Sequence, residues 1–224
     1  MTRSVKAPLF AAIACAAAIT PLAAAAYAYG PVKALDLRIL LHLERETGLS
    51  HHLASVLVNL GDLGSLLVLL AAVCGIGLYF GRRRQVIAAV VLVAGANLTT
   101  QLLKVALEHV RYKAWEHGLE LPWANSFPSG HTTAAASIAV ALLFVVPARH
   151  RLKAAASGLL LTAAVGLSVV ILGWHYPSDV LGGLLVVATW GFAVLAFLRL
   201  RTARDRALSA ASQPPRSTLA VSTE

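Results

Sequence analysis

Residues 125–147, NSFPSGHTTAAASIAVALLFVVP, place a Pro-Ser-Gly turn and a histidine directly before a run of small and branched apolar residues. Positions 132–148 contain no Asp, Glu, Lys or Arg. An imidazole at the mouth of such a run costs free energy unless it has a partner or a task.

The rest of the chain repeats the same apolar character. Of 224 residues, 58% are hydrophobic and 13% charged, and the mean hydropathy is +0.74, outside the range of a soluble domain. Charge-free stretches occupy 7–32, 63–80, 85–103, 132–148, 154–178 and 180–198. Each is close to the ~20 residues that a helix needs to cross about 30 Å of hydrocarbon. Six such runs leave too little polar sequence to wrap a soluble core, so the expected fold is all-α, a bundle of six transmembrane helices. Arg3 and Lys6, followed by an apolar run ending in AYAYG (26–30), also fit a secretory leader cleaved after Ala28. The run is long enough to span, and a retained helix is expected.

Basic residues set the expected orientation. Arg3 and Lys6 precede the first run, GRRR (81–84) separates the second and third, ARHRLK (148–153) the fourth and fifth, and RLRTARDR (199–206) follows the sixth. Six crossings put all four clusters on one side, which the positive-inside rule makes cytoplasmic, together with both termini. The net charge of +9 is then mostly topology, or contact with anionic lipid. The clusters lack the interleaved aromatics of a nucleic-acid surface, so no nucleic-acid partner is expected. Residues 1–202 read as one membrane domain, with 33–62 as an amphipathic segment on the membrane surface and 203–224 as a disordered cytoplasmic tail. His51 and His52 read as interfacial. Cys15 and Cys74 lie inside apolar runs and read as small hydrophobes, with neither a disulfide framework nor zinc spacing.

With this topology the unusual polar residues gather at the extracytoplasmic ends of helices 3 to 6. Lys104 and Arg111 are seven apart, about two helical turns, and share a face if the third helix continues. Two cations on one face suit an anion, although Glu108 lies between them and a pair of interfacial anchors explains them equally well. His175 and Asp179 are four apart, with Pro177 able to start the sixth helix between them. A carboxylate on one ring nitrogen fixes the tautomer and leaves the other as nucleophile or base; alternatively, Asp179 caps the helix. Ser129 and Gly130 supply a hydroxyl and backbone N–H groups at the positive end of a helix dipole, with His131 in the first turn, an arrangement suited to an anion.

Lys104 and Arg111 in KVALEHVR, PSGH at 128–131, and HYPSD at 175–179 followed by VLGG resemble the three signature motifs of the type 2 phosphatidic acid phosphatase superfamily, the lipid phosphate phosphatases. The resemblance covers roughly residues 8 to 200. It implies a metal-independent phosphomonoesterase or diphosphatase with no cofactor and a lipid phosphate as substrate. It further implies that His175 attacks phosphorus to form a phosphohistidine, Asp179 orients it and His131 protonates the leaving group. Lys104, Arg111, Ser129 and Gly130 would then hold the phosphate oxygens.

Two positions depart from the family pattern. Arg111 is followed by Tyr112 where the family has proline, and Ser168 by Val169 where the family has an arginine that binds phosphate. The second change removes a ligand. It predicts modest activity, with Lys113 or the substrate supplying charge, and predicts that Val169→Arg raises turnover if the fifth helix keeps the family register. Glu116, His117 and Glu120 read as solvated loop, Trp115, Trp123 and Trp174 as interfacial aromatics, and His109 as a weak further phosphate contact. A phosphotransferase of the same fold and a catalytically weakened lipid-phosphate binding or transport protein are the alternatives. A vanadate haloperoxidase is disfavoured because those relatives are soluble.

Overall fold

The structure, a computed structural model, describes residues 3–45, 48–107 and 125–211. Among these residues the regular elements are all helices: α1 (Arg3–Ala28), α2 (Gly30–Glu44), α3 (Leu49–Leu57), α4 (Leu63–Tyr79), α5 (Arg83–Leu107), α6 (Gly130–Val145), α7 (Arg151–Ile171) and α8 (Pro177–Ala211), with short 3-10 turns at Val58–Gly61 and Ala148–His150.

The six charge-free runs fall largely within α1, α4, α5, α6, α7 and α8. By length and composition, four spans suffice to cross a membrane: Val5–Ala28, Arg83–Leu107, Ala148–Ile171 and Pro177–Ser209. Leu49–Gly61 and Leu63–Tyr79 qualify together as a fifth, bent by 60° at the break between them. The remaining run, 132–148, yields α6, only 16 residues long, or about 24 Å at 1.5 Å per residue. Its N-terminal end is reached by a buried loop, in which Ser126, Phe127 and Ser129 have no exposed surface.

α6 is the centre of the bundle and packs against α4, α5, α7 and α8, while α1 lies along α8. Its residues are small, and Thr132 to Ile138 are all buried. Small residues let backbones approach closely where lipid supplies no hydrophobic drive between helices: a Cβ at Gly158 of α7 would sit 2.7 Å from that of Ala139. Polar side chains bridge the helices as well, through Asn97 Nδ2 donating to Ser137 Oγ at 3.2 Å, the Thr100–Thr133 hydroxyl pair at 3.0 Å and Trp190 Nε1 donating to Thr99 Oγ1 at 3.0 Å.

Two segments differ from expectation. The 33–62 region is not one amphipathic segment. It divides into α2, α3 and a 3-10 turn, and Ala54 and Val58 share a buried cluster with Val169 to Leu172 of α7. Those apolar positions have a protein partner. Nor does ordered structure stop at 202: α8 continues through RTARDRALSAA to Ala211. Ala, Arg and Leu are strong helix formers, and Asp205 on this extension pairs with Arg84 at 2.7 Å. The remainder of the expected tail lies outside the described residues.

That ion pair also joins the starts and ends of helices at one pole. Arg84 lies in the first turn of α5, Asp205 follows the apolar part of α8, and Phe80, the C-cap of α4, packs on His150 with ring centroids 5.8 Å apart. Three of the four basic clusters therefore meet at one end. Lys104 lies twenty residues further along α5, about 30 Å away.

Candidate active site

The site is built at that far end by two chain reversals. α7 stops in a Schellman motif: Gly173 takes φ +67°, the Gly173 N–H donates to Val170 O at 2.9 Å and the Trp174 N–H to Val169 O at 2.9 Å. The His175 N–H donates to the same Val169 carbonyl at 3.1 Å, which brings the imidazole back over the helix end. Pro177 then opens α8, where its missing N–H costs nothing.

Within this turn His175 Nδ1 lies 3.3 Å from Asp179 Oδ2, and both side chains are fully buried. The same carboxylate oxygen accepts the Tyr176 N–H at 2.9 Å and the Ser126 hydroxyl. Ser126 Oγ is also 3.3 Å from His175 Nδ1. The carboxylate contact on Nδ1 fixes the tautomer and orientation of the ring.

The second reversal is the Asn125–Ser129 loop. Its Ser129 N–H donates to Asp179 O at 2.9 Å, tying the PSGH turn to the first turn of α8. This approach requires both glycines of VLGG: a Cβ at Gly182 would lie 2.5 Å from the Phe127 ring, and one at Gly183 would lie 2.9 Å from Ser129 O. Ser129 caps α6, accepting from Thr132 N at 3.4 Å and from the Thr132 hydroxyl at 3.0 Å. Lys104 Nζ donates to Asn125 O at 3.2 Å, and Asn125 Nδ2 donates back to Lys104 O at 2.9 Å. The clasp leaves the ammonium 3.9 Å from where a Cβ on Gly130 would stand. Cation, hydroxyl and helix N-terminus thus converge, the components of an anion cradle.

His131 completes the arrangement. Its ring centroid lies 6.5 Å from that of His175 and 5.6 Å from Trp174. Six of the seven residues singled out in the sequence therefore meet at one pole: Lys104, Ser129, Gly130, His131, His175 and Asp179. Arg111 lies outside the described residues, as do His109, Tyr112, Lys113, Trp115, Glu116, His117, Glu120 and Trp123.

Val169, which the sequence motif set against a family arginine, has no exposed surface. It belongs to the apolar cluster that includes Ala54 and Val58 of the α3 segment.

Three residues escaped the sequence reading. Ser126 braces the buried pair. Asp36 on α2 accepts the Ser178 N–H at 3.1 Å and so caps α8 from a different helix. Burial pushes the Asp36 carboxyl above its usual range, the charge of Asp179 adds to this, and the hydrogen bonds from Ser178 partly offset both. Asp62 is 3.0 Å from His131. Only Asp62 had a local signal, an acidic residue directly before an apolar run, which reads as a helix cap.

The fold and these motifs define an all-helical membrane phosphatase framework. Residues 85–203 match the model of the PAP2 superfamily, and the chain belongs to that superfamily. It is 32% identical over 157 residues to undecaprenyl-diphosphatase BcrC of Bacillus subtilis strain 168, an alignment covering 67% of this chain and 79% of the relative. Its fold is similar to that in the crystal structure of a transmembrane PAP2-type phosphatidylglycerolphosphate phosphatase from Bacillus subtilis, with a TM-score of 0.72, 23% identity, and coverage of 85% of this chain and 97% of the other.

Proposed function

We propose that the protein is an integral membrane lipid phosphatase that hydrolyses a lipid phosphomonoester or diphosphate through a phosphohistidine on His175. The observation that carries this reading is the buried His175–Asp179 pair at 3.3 Å facing a second histidine across 6.5 Å between ring centroids, beside a lysine and a helix N-terminus. A phosphoryl group fits between a nucleophile on one side and a proton donor on the other.

In the first half-reaction His175 Nε2 attacks phosphorus as the bond to the leaving oxygen breaks. The bond's electron pair goes to that oxygen, which takes a proton from His131. Lys104, Ser129 and the first-turn N–H of Gly130 hold the equatorial oxygens, as does Arg111, where preorganised donors act on developing charge. In the second half-reaction His131 takes a proton from water, whose oxygen displaces His175 from phosphorus and releases phosphate. These steps use the protein's own side chains and call for no metal.

Phosphatidate, phosphatidylglycerophosphate, and polyprenyl phosphate or diphosphate are the substrate classes this site would take, and the similarity to an undecaprenyl-diphosphatase favours the last. Purified protein in detergent is expected to release phosphate from at least one of these four lipids, with a rate unchanged by a chelator. Tight binding without release from any of them would move the reading to a lipid-phosphate binding or transport protein, which the valine at 169 favours.

We further propose six crossings, with α6 as the short central one, both termini in the cytoplasm and the site at the outer membrane face. The meeting of three basic clusters at the opposite pole supports this orientation. A reporter fused after Ser126 is expected to behave as extracytoplasmic; cytoplasmic behaviour would overturn the orientation.

A further inference from the structure

Asp62 stands at the break between the Val58–Gly61 turn and α4, in the N-cap position with extended backbone (φ −72°, ψ 159°). An aspartate there normally accepts an N–H of the helix it precedes. This one makes no such bond. Its Oδ1 lies 3.0 Å from His131 Nε2 instead.

The approach is built into the backbone. A Cβ on Gly61 would fall 2.7 Å from that of His131, so only glycine lets the turn seat against the start of α6. Trp174 packs near the imidazole from the α7–α8 turn. The His131 ring is thereby fixed from two elements, one of which lies outside the 85–203 segment matched by the family model.

We propose that Asp62 is the positioning residue for His131, selecting both its tautomer and its protonation state. The inference rests on the phosphohistidine reading above. A carboxylate beside Nε2 keeps a proton on that nitrogen and favours the imidazolium, so the proton that moves is on Nδ1. When the P–O bond breaks, the leaving oxygen takes its electron pair and the Nδ1 proton. His131 is left neutral with Nε2–H still donated to Asp62, and the Nδ1 lone pair is ready to take a proton from the attacking water. The charged and titratable groups around His131, among the described residues, are Asp62 from the start of α4, His175 from the α7–α8 turn and Lys104 from α5. Lys104 and the substrate phosphate act on it in opposite directions, while Asp62 is the carboxylate in direct contact.

The test compares wild type, Asp62→Asn and Asp62→Glu in detergent. Asp62→Asn is expected to lower kcat on a lipid phosphate about tenfold, part of the roughly 10²–10⁴ a positioned acid contributes. The loss on 4-nitrophenyl phosphate, whose leaving group needs little protonation, is expected to be smaller. The alkaline limb of the rate profile should move down by about half a pH unit, the scale that a half-exposed ion pair supports, and Asp62→Glu should restore part of it. Independently of turnover, nitrogen-15 NMR of histidine-labelled protein, with the His131 signal assigned by its loss in His131→Gln, should show the Nε2–H tautomer in wild type and a lower titration midpoint in Asp62→Asn. An identical His131 midpoint and tautomer in the two proteins would overturn the proposal. So would equal losses on both substrates. If wild type released no phosphate from any substrate, the phosphatase reading would fail while the NMR comparison still decided the pair.

Discussion

His175→Ala is expected to abolish phosphate release, by more than about 10³-fold on every substrate, as removal of a nucleophile does. The fold should survive, because Asp179 keeps its bonds from Ser126 and from the Tyr176 N–H, and the turn is held by backbone bonds to Val169 O that the side chain does not make. His131→Ala should behave differently. Its loss is expected to reach about 10²–10⁴ on a lipid phosphate, whose alkoxide or phosphate must be protonated, and to shrink on 4-nitrophenyl phosphate. Acid-labile phosphate should be trapped on quenched wild type and absent from His175→Ala. If the two variants were equally inactive on both substrates, the division of labour between nucleophile and acid would be wrong.

The sequence carried the parts of this site that depend on short spacing. His175 and Asp179 are separated by a turn whose stop signal, Gly173, and start signal, Pro177, are local, so their meeting could be foreseen. Ser129, Gly130 and His131 depend only on the helix start. The convergence of these two pieces with Lys104 was legible because charge-free runs fix which helix ends share a pole. What stayed hidden depends on tertiary approach. Ser126 reads as an ordinary loop serine, and only the Ser129 N–H bond to Asp179 O brings it onto the buried carboxylate. Asp36 and Ser178 are 142 residues apart, and no local pattern links them. Asp62 gave a signal with the wrong meaning: it occupies a cap position, but its carboxylate turns away from its own helix. The two misjudged segments share one cause. Charged and apolar residues at helical spacing describe a helix on a membrane and a helix packed on protein equally well, and a charged tail describes a helix as well as a coil when its residues favour helix.

Val169→Arg is expected to give a protein that is less stable when empty and disproportionately stabilised by an oxyanion. The side chain at 169 is fully buried in a cluster with Ala54, Val58 and the three residues that follow it. An arginine there without a partner resembles a broken buried ion pair, which costs about 3–5 kcal/mol. Yet the backbone at 169 is close to His175, the proposed nucleophile, since its carbonyl accepts the His175 N–H at 3.1 Å, and a guanidinium on a long stem can leave the apolar cluster for the proposed phosphate position. Its charge is then matched only when an anion is bound. Orthovanadate or phosphate should therefore raise the thermal midpoint of Val169→Arg more than that of wild type, because a ligand stabilises in proportion to its occupancy of the folded state. At saturating lipid phosphate the variant should also turn over faster, within the roughly 10²–10³ that a single fixed donor in a water-poor site is worth. Val169→Met supplies the control for volume: it should tolerate the site without gaining either response. An equal anion-induced shift in wild type and Val169→Arg would show that the side chain does not reach the phosphate, and that α7 departs from the family register at this position. A gain in turnover with no added anion dependence would instead mean that the arginine acts from solvent, outside the cradle formed by Lys104, Ser129 and Gly130.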